Sequence, residues 1–167
     1  MTSEPVTTSG PFDPPGVTWQ SVSPRLVTAR LVTAAITLGV PIVAGVVLGL
    51  AVTPWLWFVA AVPAAILVWV AIVVPRQVRA IGYAERDDDL LIRKGILFRS
   101  LVVVPYGRMQ YVDVEAGPLD RKLGLAKVQL HTASASTDAD IPGLAPEEAE
   151  RLRDRLTVRG EARLAGL

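Results

Sequence analysis

The chain has 167 residues, 17 Lys and Arg against 16 Asp and Glu, a formal net charge of +1 and no cysteine. So even a balance argues against a nucleic-acid partner, because displacing counterions from a phosphate backbone needs a clear cationic excess. The missing thiols exclude disulfide frameworks, thiolate nucleophiles and Cys-based zinc sites, and their absence fits a reducing compartment.

Charge is spread unevenly along the chain. Residues 31–74 carry none and divide into two apolar runs, Leu31–Val52 and Trp55–Val74, around Thr53-Pro54. A bilayer core takes about 20 helical residues per crossing at about 1.5 Å of rise each. The pattern therefore predicts two transmembrane helices, residues 31–52 and 55–74, joined by a tight turn. A cleaved signal peptide is not expected, since the first run starts only at Leu31 and a second run follows at once. Arg25 and Arg30 precede the first run, Arg76 and Arg79 follow the second, and Ala51–Pro54 has no basic residue. By the positive-inside rule both termini are expected in the cytoplasm of a multi-pass plasma-membrane protein. Trp55, Trp57 and Phe58 then fall at the outer interface and Trp69 nearer the inner one.

Residues 1–18 are rich in Pro, Ser, Thr and Gly without hydrophobic period, which predicts a disordered N-terminal tail. Residues 19–30 read as a juxtamembrane segment whose Trp19 rests either among headgroups or on the following domain. Pro41 and Pro63 are tolerable inside membrane helices. Gly45 and Gly49 form a small-xxx-small spacing that suits close helix packing, either within the hairpin or between chains.

After Arg79 the chain changes to short β-rich runs. Ala80–Glu85 and Leu90–Arg93 flank the acidic turn Asp87-Asp88-Asp89, a hairpin signal. Ile96–Val104 predicts a third strand, and Tyr111–Glu115 alternates as a half-buried strand does. Gly117–Leu125 interrupts the pattern, Ala126–Thr132 resumes it with Val128 and Leu130 on one face, and Ala139–Ile141 closes it. Pro146 then opens a helix with Glu147 and Glu148 in its first turn and an apolar stripe of Ala149, Leu152 and Leu156.

Several of these segments together resemble a known family. Val104-Pro105-Tyr106-Gly107-Arg108-Met109-Gln110-Tyr111-Val112-Asp113-Val114 is similar to the "IPxxRIQxVxV" segment of membrane-associated bacterial PH domains of the YdbS-like type. Gly117–Ala126 is similar to its "GPLxRxxGLA", and Leu91–Gly95 to its "LxIRxG". Thr132-Ala133 and Ile141-Pro142-Gly143-Leu144 match its strand end and its entry to the final helix. The resemblance spans roughly Trp19 to Leu156. It implies an α-helical transmembrane hairpin followed by a mainly-β PH-like barrel or sandwich with a C-terminal helix. On that basis residues 75–158 form a cytoplasmic bacterial PH-like domain and residues 159–167 a C-terminal tail. It also implies no catalytic activity, no obligatory cofactor and, in relatives, several PH-like copies or a larger PH-like companion.

Candidate chemistry is sparse. His131 is the only histidine, so a His-based metal cluster is impossible and a base–orienter pair would rest on it alone. Asp87–Asp89 lack the spacing of a calcium loop and read as a solvated turn, as do Ser134, Ser136 and Thr137. Arg108 and Gln110 are expected to bond loop backbone or pair with Asp113 or Asp120. No catalytic, cofactor-binding or metal-binding residue is assigned. The remaining candidates are Arg93 and Lys94 with nearby Arg99, and the pair Arg121 and Lys122, as contacts for lipid headgroups or a partner. The expected role is a membrane-anchored interaction module. It would touch membrane lipids and assemble with another membrane or peripheral protein, a larger PH-like relative or a second copy of itself. Anionic-lipid or ligand sensing is the alternative.

Overall fold

The uncharged block folds as two long helices, α1 (Arg25–Ala51) and α2 (Trp57–Arg79), joined through a 3-10 turn at Pro54–Leu56. The computed structural model describes residues 14, 16–133 and 138–164. Most of the predicted tail and the Ser134, Ser136 and Thr137 loop therefore lie outside the described residues. Both helices outrun the spans read from composition at their charged ends, while at the turn α1 stops one residue short of its span and α2 starts two residues into its own. An apolar count ends at the first charge, whereas the backbone ladder continues through Arg25 and Arg30 at one end and Arg76 and Arg79 at the other. Pro75, expected to open the soluble domain, sits inside α2, so the helix gives up one ladder hydrogen bond there.

The two helices pack closely where their side chains are smallest. A Cβ on Gly45 would lie 2.7 Å from the Val59 carbonyl carbon and 2.9 Å from Ala60 Cα, and one on Gly49 would touch the Trp57 ring at 3.3 Å. The Gly45–Gly49 spacing thus faces the second helix of the same hairpin. The opposite surfaces are apolar and uncovered: Val40, Leu50, Val62 and Trp69 are each more than half exposed. A surface of that kind is suited to lipid tails, not to water.

Seven strands form two antiparallel sheets among the described residues. The first has the order β1 (Gln20–Ser21), β2 (Gly82–Glu85), β3 (Asp89–Lys94) and β4 (Ser100–Pro105). The second is β5 (Met109–Glu115), β6 (Ala126–Thr132) and β7 (Ala139–Leu144), with α3 (Pro118–Leu123) between β5 and β6. The last element, α4 (Pro146–Leu164), follows β7. This is the PH-like sandwich with a C-terminal helix that the motifs imply.

Three differences from the sequence reading matter. First, the juxtamembrane segment contributes β1, which pairs with β2 from beyond the helices, Gln20 opposite Tyr83 and Ser21 opposite Gly82. A two-residue Gln-Ser strand has no alternation to betray it. Second, the predicted strand Ile96–Val104 begins only at Ser100. The last rung of the β3–β4 ladder is Lys94–Ser100, and Gly95 turns the chain with φ +94°, so Gly95–Arg99 forms a tip. Third, α4 continues to Leu164, through most of the stretch from residue 159 that the sequence assigns to a C-terminal tail.

One core unites these elements. Leu90, Ile92 and Val104 come from the first sheet, Val128, Leu130 and Ile141 from the second, and Ala149, Leu152 and Leu156 from α4. The stripe read from α4 is fully buried, as its helical spacing requires. The same cluster runs on into Val22 just before the hairpin, Leu26 and Ala29 in the first turns of α1, and Val74 and Val78 near the end of α2. At about 2 kcal/mol for each large buried aliphatic side chain, Val22 and Leu26 belong to the folding unit and not to a passive linker.

Candidate functional site

Short connections put one end of the domain against the helices. Three residues separate β1 from α1 and two separate α2 from β2, so the end of the first sheet bearing Ser21, Gly82 and Arg93 adjoins both helix ends. The second sheet is tied to the same place. The Ser23 amide donates to the Gly143 carbonyl at 2.8 Å, and Gly143, at φ +75°, lies against Leu26. Arg25 Nη1 approaches the Leu123 carbonyl at 3.5 Å, which brings α3 against α1. A cleft of about 400 Å³ opens at this junction between Ser21, Pro24, Thr28, Pro75 and Arg79.

The four cations proposed from sequence fall into two different situations. Arg93 is half-buried with its guanidinium 4.3 Å from the centre of the Trp19 ring, a cation–π contact. Trp19 therefore packs on the domain. Lys94 Nζ lies 2.6 Å from Asp140 Oδ1, joining the two sheets. Both residues are committed to scaffold contacts that sequence proximity does not reveal. Arg121 and Lys122 are exposed on α3, beside the start of α1. Arg108 and Gln110, expected to bond within the domain, are exposed, and Arg108 forms no ion pair with Asp113 or Asp120.

A polar network unmarked in the sequence fastens α4 to the first sheet. The Tyr83 hydroxyl lies 2.7 Å from Gln20 Oε1 and 3.1 Å from Glu148 Oε1. Burial, then the adjacent Glu148 carboxylate, push its pKa well above the ordinary phenol value. Glu85, with only 9% of its side chain exposed, meets Arg155 at 2.9 Å and Arg159 at 3.8 Å. The Tyr106 hydroxyl donates to the Arg86 carbonyl at 3.0 Å and accepts from Arg159 Nη1 at 2.9 Å. The signal in the sequence is weak: buried tyrosines need a polar partner, but the partners lie far away in sequence.

The acidic turn sits at the end of the first sheet remote from the helices. Its backbone and side chains are engaged: the Asp88 carbonyl accepts from the Tyr106 amide at 3.1 Å, Asp88 pairs with Arg163, and Asp89 lies 3.6 Å from Arg86. Among the described residues no group of three or more His, Cys, Asp and Glu is placed to hold a metal ion. His131 stacks on Tyr111 with ring centres 4.3 Å apart and lies 3.3 Å from Asp138. The geometry thus offers a built mount, with exposed cations at the helix end and a remote acidic turn.

Comparison with known proteins agrees with this architecture. The profile of the family described as "Bacterial PH domain" matches residues 25–159, most of the chain and both apolar helices. A curated relative, the UPF0699 transmembrane protein YdbS of Bacillus subtilis (strain 168), is 41% identical over 75 residues. That match covers 45% of this chain and 46% of the relative, so the alignment spans about half of each. No solved structure matches. The relative's description and the two apolar helices together make this a membrane-associated protein.

Proposed function

The chain belongs to the bacterial PH domain family, and on that premise we propose that it is a non-catalytic, membrane-anchored docking module. The two helices cross the bilayer as a hairpin and hold the PH-like domain at the cytoplasmic face. There it assembles with another membrane or peripheral protein, for which a larger PH-like relative is the leading class. The observation that carries this reading is the stitching of β1 to β2 across the hairpin. A domain hung on a flexible tether would need no such strand. A domain sewn to both helix ends has a set orientation, which suits a docking surface.

The sidedness rests on the basic residues flanking the helices and their absence from the turn. Cysteine probes at Thr53 and Asp87, in a chain that otherwise has none, should label from opposite sides of the membrane. Labelling of both from one side removes the hairpin topology. The docking role is tested by crosslinking in cells followed by mass spectrometry of the full-length chain. Recurrent crosslinks from the domain to one membrane or peripheral protein are expected. Recovery of uncrosslinked chain alone, under several linker chemistries, would count against it.

Anionic-lipid sensing is a second reading, favoured by the exposed Arg121 and Lys122 beside α1. It requires that an effect of anionic lipid on the chain weaken with salt and disappear when those two residues are neutralised.

A further inference from the structure

The tip of the β3–β4 hairpin carries three consecutive apolar residues, Ile96, Leu97 and Phe98, and Leu97 and Phe98 are 87% and 92% exposed. Scattered exposed aliphatics are ordinary. Two adjacent large side chains almost free of the protein form a run with no role in the fold. The backbone builds that exposure. The Lys94–Ser100 rung closes the ladder, Gly95 adopts φ +94°, and a Cβ on Gly95 would collide with the Phe98 carbonyl. The tight turn leaves Leu97 and Phe98 projecting.

Position in the fold indicates what covers them. Arg93 pairs with Gly82, the first residue of β2, and β2 follows α2 after two residues. The tip therefore extends the first sheet at the end where both apolar helices meet the domain. At a strand rise of about 3.3 Å, the three residues from Arg93 to Ile96 carry it up to roughly 10 Å past the Gly82 rung. That reach matches the depth, about 5–10 Å, at which interfacial segments bury their apolar face. Charge is arranged to suit. Arg99, at the tip, and Arg76 and Arg79, in the last turn of α2, are all exposed. Asp87–Asp89 lie at the opposite end of the sheet.

We infer that Gly95–Arg99 is a third and shallow membrane contact, in which Leu97 and Phe98 insert at the headgroup–acyl boundary and Arg99 meets lipid phosphates. The occupant is the bilayer that holds α1 and α2. The inference rests on the membrane reading of those helices and is indifferent to which side the domain faces. A two-helix stem fixes where the domain sits, and a third contact away from the stem fixes its tilt. The acidic turn and the end of α4 then face away from the membrane.

The test uses the full-length chain in phosphatidylcholine–phosphatidylglycerol proteoliposomes. An environment-sensitive fluorophore is placed on single cysteines at Ser100→Cys, at Val40→Cys on the outer surface of α1, and at Asp87→Cys. Quenching by acyl-chain nitroxide lipids is compared with quenching by aqueous iodide. The Ser100 probe should be quenched by the nitroxide lipid and several-fold less by iodide than the Asp87 probe. Adding Leu97→Asp and Phe98→Asp should reverse that order without moving the thermal unfolding midpoint in detergent. A Ser100 probe behaving like the Asp87 probe, while the Val40 probe is lipid-quenched, overturns the inference and leaves the membrane reading standing. A Val40 probe open to iodide overturns both. Shielding of the Ser100 probe from both quenchers assigns the tip to a protein contact and also overturns the inference, as does indifference to the double substitution.

Discussion

Tyr83 and Gln20 stand 63 positions apart in the chain and face each other across one rung of the first sheet, the Tyr83 hydroxyl 2.7 Å from Gln20 Oε1. One residue precedes the apolar hairpin and the other follows it. Their contact closes the domain around the base of the membrane helices.

The buried Tyr83 hydroxyl, which also faces Glu148, predicts an alkaline limit to stability. Burial, then Glu148 and Glu85, raise the Tyr83 pKa; burial also raises that of Tyr106 against the opposing pull of Arg159. The ordinary phenol value is about 10. A group whose folded pKa lies above its unfolded one stabilises fully below the unfolded value, and the contribution is lost as pH climbs through the folded value. The tyrosines' contribution should therefore hold up to about pH 10 and decline beyond it. Tyr83→Phe should cost about 1 kcal/mol at neutral pH and flatten the alkaline decline, leaving the share due to Tyr106. Denaturant unfolding in detergent across pH measures both; an unchanged alkaline slope in the variant would assign the effect elsewhere.

Gly143 offers a sharper test of the helix mount. It holds φ +75°, and a Cβ there would come within 2.8 Å of Leu26 Cδ2 and 2.9 Å of Leu26 Cβ. Gly143→Ala combines left-handed strain of about 1–2 kcal/mol with displacement of a buried side chain. A loss of about 2–3 kcal/mol is expected, together with faster amide exchange at Ser23, whose N–H bonds the Gly143 carbonyl. Exchange at Ser23 no faster than in the native chain would show that this junction does not depend on the glycine.

Within the hairpin the glycines should rank by what lies opposite them. Gly45 faces the Val59–Ala60 backbone, Gly49 faces the Trp57 ring, and Gly39 has nothing within 4 Å. Replacement by Ala should loosen the helix pair most at position 45, less at 49 because a ring can tilt, and least at 39. Disulfide trapping of cysteine pairs across the two helices reads that order. Equal trapping in all three variants would mean that the small-residue stripe does not set the packing.

A chain beginning at Pro75 should not hold the domain. It lacks β1, which leaves β2 as an open edge, and it lacks Val22 and Leu26 from the core. Loss of a buried leucine side chain alone costs about 2–5 kcal/mol. Such a fragment should unfold or self-associate, whereas a chain in which a flexible linker replaces residues 31–74 should keep β1 paired. Size-exclusion chromatography and hydrogen exchange at Tyr83 distinguish them. A monomeric Pro75 fragment with native protection at Tyr83 would show β1 to be dispensable.

Sequence alone determined where this protein belongs and most of what it is made of. An uncharged block of that length has one favourable solvent, alternation over Ala126–Thr132 can serve only a half-buried strand, and the Ala149, Leu152 and Leu156 stripe must face a core. These are local consequences of period and composition, so they can be read from a single stretch of chain. Tertiary structure decided everything that joins distant stretches. It recruited Gln20 and Ser21 into the sheet and drew Arg93 onto Trp19 and Lys94 onto Asp140. It also turned Ile96–Phe98 from a predicted strand into an exposed tip. Apolar period cannot tell a strand from a tip; only the register of Lys94 against Ser100 does that. The same register puts two bare hydrophobic side chains at the helix end of the domain.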